Sequence, residues 1–132
     1  MRIVAVVLGV LVLTGCTGGA GLVVDDSGDA VLVSAASNRD VRNLALIEGE
    51  LAITESGCFG IDNGRAVFPA VFAVGTVPDG DGIYLVGHGH VAVGDRLEGG
   101  GGFASESEDS LPKGLPAECV ADEVAIFDLA ED

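Results

Sequence analysis

The chain has 132 residues, of which 21 are acidic and 6 basic, for a formal charge of −15 at pH 7. That balance repels phosphate backbones and anionic headgroups, which excludes nucleic acid as a partner class. There is no Trp and a single Lys, Lys113, while 48% of the residues are hydrophobic, enough apolar material for one small domain.

Arg2 is followed by an uncharged apolar run from Ile3 to Leu13. A helix crossing hydrocarbon needs about 20 apolar residues, so the run matches the apolar part of a secretory leader instead. It ends on Leu13-Thr14-Gly15-Cys16. This resembles the lipobox of bacterial lipoproteins, a Leu and two small residues placed before a Cys behind a short apolar segment. The resemblance implies that residues 1–15 form a signal helix that is removed and that Cys16 becomes the first mature residue. Its thiol then carries diacylglycerol, and a further acyl chain such as palmitate sits on the new amino group. Two or three chains hold a protein durably, since each buried CH₂ contributes about 0.8 kcal/mol. With Thr17 rather than Asp after the Cys, the resemblance implies the outer membrane of a two-membrane cell, or the external leaflet of the cell membrane where there is one. An ordinary secreted protein, or an intracellular one with a buried apolar first strand, are the competing readings.

Once Cys16 carries lipid, Cys58 and Cys119 remain as an even pair. Outside the cytoplasm two leftover thiols usually pair. Closing a loop of about 60 residues contributes about 4 kcal/mol in the chain-entropy picture. Neither Cys has a second Cys or a His at zinc-finger spacing.

Residues 16–43 read as the lipidated Cys and a flexible tether, although Leu22–Val24 and Ala30–Val33 around Asp-Asp-Ser-Gly-Asp also fit a hairpin. The domain is expected over residues 44–132. Ala45, Ile47, Leu51 and Ile53 share one face at a period of two, with Glu48, Glu50 and Thr54 opposite. A short strand at Cys58–Ile61 leads into Asn63-Gly64, a type I′ hairpin signal. "AVFPAVFAVG" is apolar on both faces, and Pro69 places it at an edge, at a bulge or at the start of a short helix. "VPDGDG" reads as a turn, and "IYLVG", "HVAVG" and "RLEG" as short strands. "VAVGDRL" resembles the strand-turn-strand phrase of oligonucleotide-fold and SH3-like barrels, which implies barrel geometry. Gly99 to Glu118 reads as a long polar loop, and "EVAIFDL" as a last strand with Val124 and Ile126 on one face and Ala125, Phe127 and Leu129 on the other. About six short strands with no helical periodicity predict an all-β fold, a small antiparallel barrel or sandwich.

Few residues point to chemistry. His88 and His90 are the only histidines; two apart on an extended chain, they share a side and suit Cu²⁺ or Zn²⁺. A glycine-rich hairpin tip with solvated imidazoles is the other reading, because a metal site needs a third ligand and an orienting shell. Asp25-Asp26-Ser27-Gly28-Asp29 and Asp79-Gly80-Asp81-Gly82 depart from calcium-loop spacing and read as turns. Ser56 lacks the glycine two residues before it that a nucleophile elbow requires. The sequence thus predicts a non-catalytic exported lipoprotein without a cofactor. It is held to a membrane through Cys16, faces away from the cytoplasm, and binds an envelope protein or assists one. A metal or small-ligand carrier using His88 and His90 is the alternative, and a hydrolase with an unrecognised site ranks below it.

Overall fold

A computed structural model describes residues 21–36 and 45–128. Cys16, residues 1–15 that the sequence reads as a signal, Leu44 and Leu129 lie outside the described residues. Ten strands follow in chain order: β1 (Leu22–Asp25), β2 (Leu32–Ala35), β3 (Ala45–Ile53), β4 (Phe59–Asp62), β5 (Val67–Phe72), β6 (Val77–Asp79), β7 (Gly82–Leu85), β8 (Gly89–Ala92), β9 (Arg96–Ser105) and β10 (Glu123–Asp128). Among the described residues there is no α-helix, only a 3-10 turn at Ala117–Cys119. The fold is all-β, as the strand spacing predicts.

β3 pairs with β4, β4 with β5, β5 with β10, β10 with β9 and β9 with β3, which closes a barrel. Closure leaves these five strands without a free edge. The β5–β10 pair is parallel and the other four are antiparallel. Alternation along β3 sends Ile47 and Leu51 inward, while Leu46, Glu48 and Glu50 face out. Ile53 departs from that pattern. It lies at the rim and is 38% exposed.

The apolar runs on both faces of β5 and β10 have a structural cause, because two cores flank these strands. Ala70, Phe72, Ala125 and Phe127 join the barrel interior with Leu32, Phe59, Ile61 and Leu97. Val71 and Val124 face outward into a second, smaller core with Val33, Cys58 and Cys119. Pro69 sits where one edge of β5 changes partner. Val67 to Pro69 pair with β4, and Val71 and Phe72 pair with β2. A residue with no N–H to donate fits such a seam. Opposite it, a side chain on Gly60 would run into the Phe68 carbonyl.

The tether reading of residues 22–35 is corrected. β1 and β2 form an antiparallel hairpin, and β2 runs parallel to β5 with Leu32, Val33 and Ser34 buried. The body therefore begins upstream of residue 44. Long-range parallel pairing leaves no mark on the local sequence, so the hairpin's apolar residues could not reveal their partner.

The polar loop is also shorter than Gly99 to Glu118. Gly99 to Gly102 lie inside β9, which pairs with β3 through its first half and with β10 through its second. Of these glycines, Gly101 lets a neighbouring backbone come close. At Gly101 (φ 152°) a side chain would strike the Ile126 carbonyl. Between β4 and β5 a hairpin forms, but only Gly64 takes positive φ. Asn63 Oδ1 accepts hydrogen bonds from the Arg65 and Ala66 N–H groups at 2.9 and 3.0 Å, so the turn is not type I′.

β6, β7 and β8 make a separate antiparallel sheet. Its inward residues Ile83, Leu85 and Val91 join the barrel interior, so it caps the same core.

Candidate functional site

Cys58 and Cys119 are bonded, with their Cα atoms 5.3 Å apart across a separation of 61 residues. Both are buried in the outer core beside Val33, Val71 and Val124. Cys58 follows a turn that Thr54 closes. The Thr54 N–H donates to the Cys58 carbonyl at 2.8 Å, and the Cys58 N–H donates to Thr54 Oγ1 at 3.1 Å. On the other side, the Cys119 N–H donates to the Pro116 carbonyl at 2.9 Å within the 3-10 turn. The bond therefore joins two locally rigid pieces, the turn before β4 and the segment before β10.

The two histidines part ways. His88 lies exposed in the β7–β8 turn, its N–H donating to the Leu85 carbonyl at 3.0 Å. His90, on β8, is held between two carboxylates. Its Nδ1 is 2.9 Å from Asp79 Oδ2 and its Nε2 is 2.9 Å from Asp81 Oδ1. The hydrogen bond to Asp79 raises the imidazole above its ordinary range; desolvation opposes this, and the hydrogen bond to Asp81 and the charges of both carboxylates add to the rise. Because the two ring nitrogens point to opposite sides of the ring, these carboxylates cannot converge with it on one ion. No group of three His, Cys, Asp or Glu among the described residues is arranged to hold a metal.

Asp79 and Asp81 read from sequence only as turn residues. They reach His90 through the register of three short strands, with Asp79 opposite Gly82 and Tyr84 opposite His90. The tight turn at Gly80 (φ 57°) and the one at Gly87 fix that register. Both glycines are visible in the sequence, and the register between them places Asp79 and His90 on one face of the small sheet, two rows apart. Asp25 accepts from the Ser27 N–H and Oγ at 2.9 and 2.6 Å, which lowers its carboxyl below the usual value. The first aspartate cluster is therefore a hairpin turn.

Ser56 is exposed in the turn before β4. The hydroxyl–carboxylate contact among the described residues is that of Ser27 with Asp25, inside the β1–β2 turn. The loop after β9 is fastened at its start, where the Ser110 N–H donates to the Ser105 carbonyl at 3.0 Å and Ser110 Oγ accepts from the Ser105 N–H at 2.8 Å. Further along, Leu111 and Leu115 pack on the outer core. No helix among the described residues is long and apolar enough to cross a membrane.

No known protein family, no curated protein and no solved structure matches this chain.

Proposed function

We propose that the protein is an exported lipoprotein, anchored through lipid on Cys16, whose disulfide-braced barrel does non-catalytic binding or accessory work in the bacterial envelope. The observation that carries the reading is the pairing of Cys58 with Cys119. A structural disulfide belongs to an oxidising compartment, and it leaves Cys16 as the odd thiol directly behind an apolar leader. The lipobox resemblance and the disulfide thus agree on the same side of the membrane from independent residues. A strongly acidic surface keeps such a domain soluble next to anionic headgroups that it does not bind.

Fractionation of cells expressing the chain, with intact-mass analysis of its amino end, tests the anchor. The native protein is expected in the membrane pellet, starting at an acylated Cys16. Cys16→Ser is expected to lose the lipid mass and to remain uncut. A Cys16→Ser protein that behaves like the native one in both assays overturns the proposal.

A further inference from the structure

Two open cavities, of about 750 and 380 Å³, lie side by side on the barrel's outer wall and share Val67 and Ala121. Together they make one groove. One wall is the turn from Thr54 to Ser56, and the other is made by Glu118 and by Ala121 to Glu123 with the start of the loop after β9. The floor is apolar and open: Ile53, Val67 and Val120 are 38%, 40% and 49% exposed. Isolated exposed apolar residues are ordinary on a soluble protein, but several that line one concavity mark a contact surface.

The rim has one sign of charge. Glu55, Glu106, Glu118, Asp122 and Glu123 line the groove, and no Lys or Arg does. Among the described residues none of the five is in an ion pair. A low-dielectric wall bordered by carboxylates focuses negative potential into the cleft. The shape is also set in advance, because Cys58 lies two residues past one wall and Cys119 lies within the stretch that carries the other, so the disulfide ties the two stretches together. Preorganised walls spare a ligand the entropy of ordering them.

We infer that this groove binds a cationic peptide segment in which apolar side chains, for the floor, alternate with Lys or Arg, for the rim. The inference rests on the binding role proposed above and gives the partner its chemistry. An acidic segment is repelled by the rim. A purely polar cationic one leaves Ile53, Val67 and Val120 uncovered.

The full chain, solubilised in detergent, is titrated into a fluorescent peptide of alternating Leu and Lys, with a Leu-Glu peptide and a Gly-Lys peptide as comparisons. The Leu-Lys peptide is expected to bind, and the other two at least about tenfold more weakly. Its affinity is expected to fall as ionic strength rises from about 0.01 to 0.15 M, where the screening length shrinks from about 30 to 8 Å. Glu118→Lys with Asp122→Lys is expected to cost about tenfold or more. Asp26→Lys with Glu98→Lys changes the net charge equally but touches neither cavity, and is expected to retain most of the affinity. Equal losses in both double variants would reduce the effect to overall charge and overturn the assignment. So would equal binding of the Leu-Glu peptide, the absence of any binding, or a groove closed by a second copy, which sedimentation would reveal as a dimer. Binding in detergent does not depend on where the chain is held, so failure here and failure of the Cys16 anchor are separate results.

Discussion

The two cores on either side of β5 and β10 are built by different means. The interior gathers large side chains, among them Phe59, Phe72, Phe127, Leu51 and Leu97, all nearly or fully buried. Phe72 and Phe127 meet edge to face with centroids 6.1 Å apart, a favoured arrangement for aromatic pairs. The outer core has mainly three valines and two half-cystines as its fully buried members. It borrows coverage from Leu111 and Leu115 in a loop. A barrel interior can be stabilised by burial alone, whereas a loop laid over a sheet has little apolar area and needs a covalent fastening. The disulfide is therefore expected to hold the outer layer and the groove wall built from it, with closure of the barrel independent of the bond.

The largest expected effect comes from the interior. Phe127→Ala empties a site that is 1% exposed and should cost about 3–5 kcal/mol in urea unfolding, by lost transfer energy and the cavity left behind. Cys58→Ser with Cys119→Ser should cost up to about 4 kcal/mol, chiefly by freeing the unfolded chain. The two variants differ in where protection is lost. Amide exchange in the disulfide variant should accelerate first in residues 106–122 and leave β3 and β9 slow, since local openings follow local contacts. Uniform loss of protection across the barrel would show that the outer layer is not a separate unit.

His90 gives the smallest effect and checks the cap in the same way. Its folded pKa is raised by Asp79 and Asp81. The clip therefore contributes fully below the ordinary imidazole value of about 6.5, and its contribution fades as pH rises through the higher folded value. His90→Gln should lower the melting temperature slightly in mild acid, and the gap from the native chain should close on going alkaline. Ile83, Leu85 and Val91 hold the cap to the interior whatever the charge of His90, so the cap sheet should persist in the variant. A large deficit unchanged by pH would mean that the ring is packing rather than titrating.

The sequence reveals elements wherever alternation and turn chemistry act over short range. The inward residues of β3, the two faces of β10 and the short strands β7, β8 and β9 all follow from a period of two between glycines. The pairing of Cys58 with Cys119 follows from arithmetic once Cys16 is set apart. What stayed hidden depends on distant neighbours. Gly99 to Gly102 resemble a loop until β3 and β10 are known to press on both sides of them. Val33 and Leu32 resemble a sticky tether until β5 is placed beside them. The groove brings together residues from 53 to 123, and no window of sequence contains it.

The position of β10 between β5 and β9 has a consequence for biosynthesis. A chain delivered from its amino end, by a ribosome or through a translocation channel, cannot seal the cylinder until residues 123–128 have emerged. Until then β5 and β9 wait with an open side each, and the pair that closes the barrel joins Ala70 to Ala125, a non-local contact of the kind that forms slowly. Such an order keeps the threadlike state available while the chain emerges and defers compaction to the moment of release.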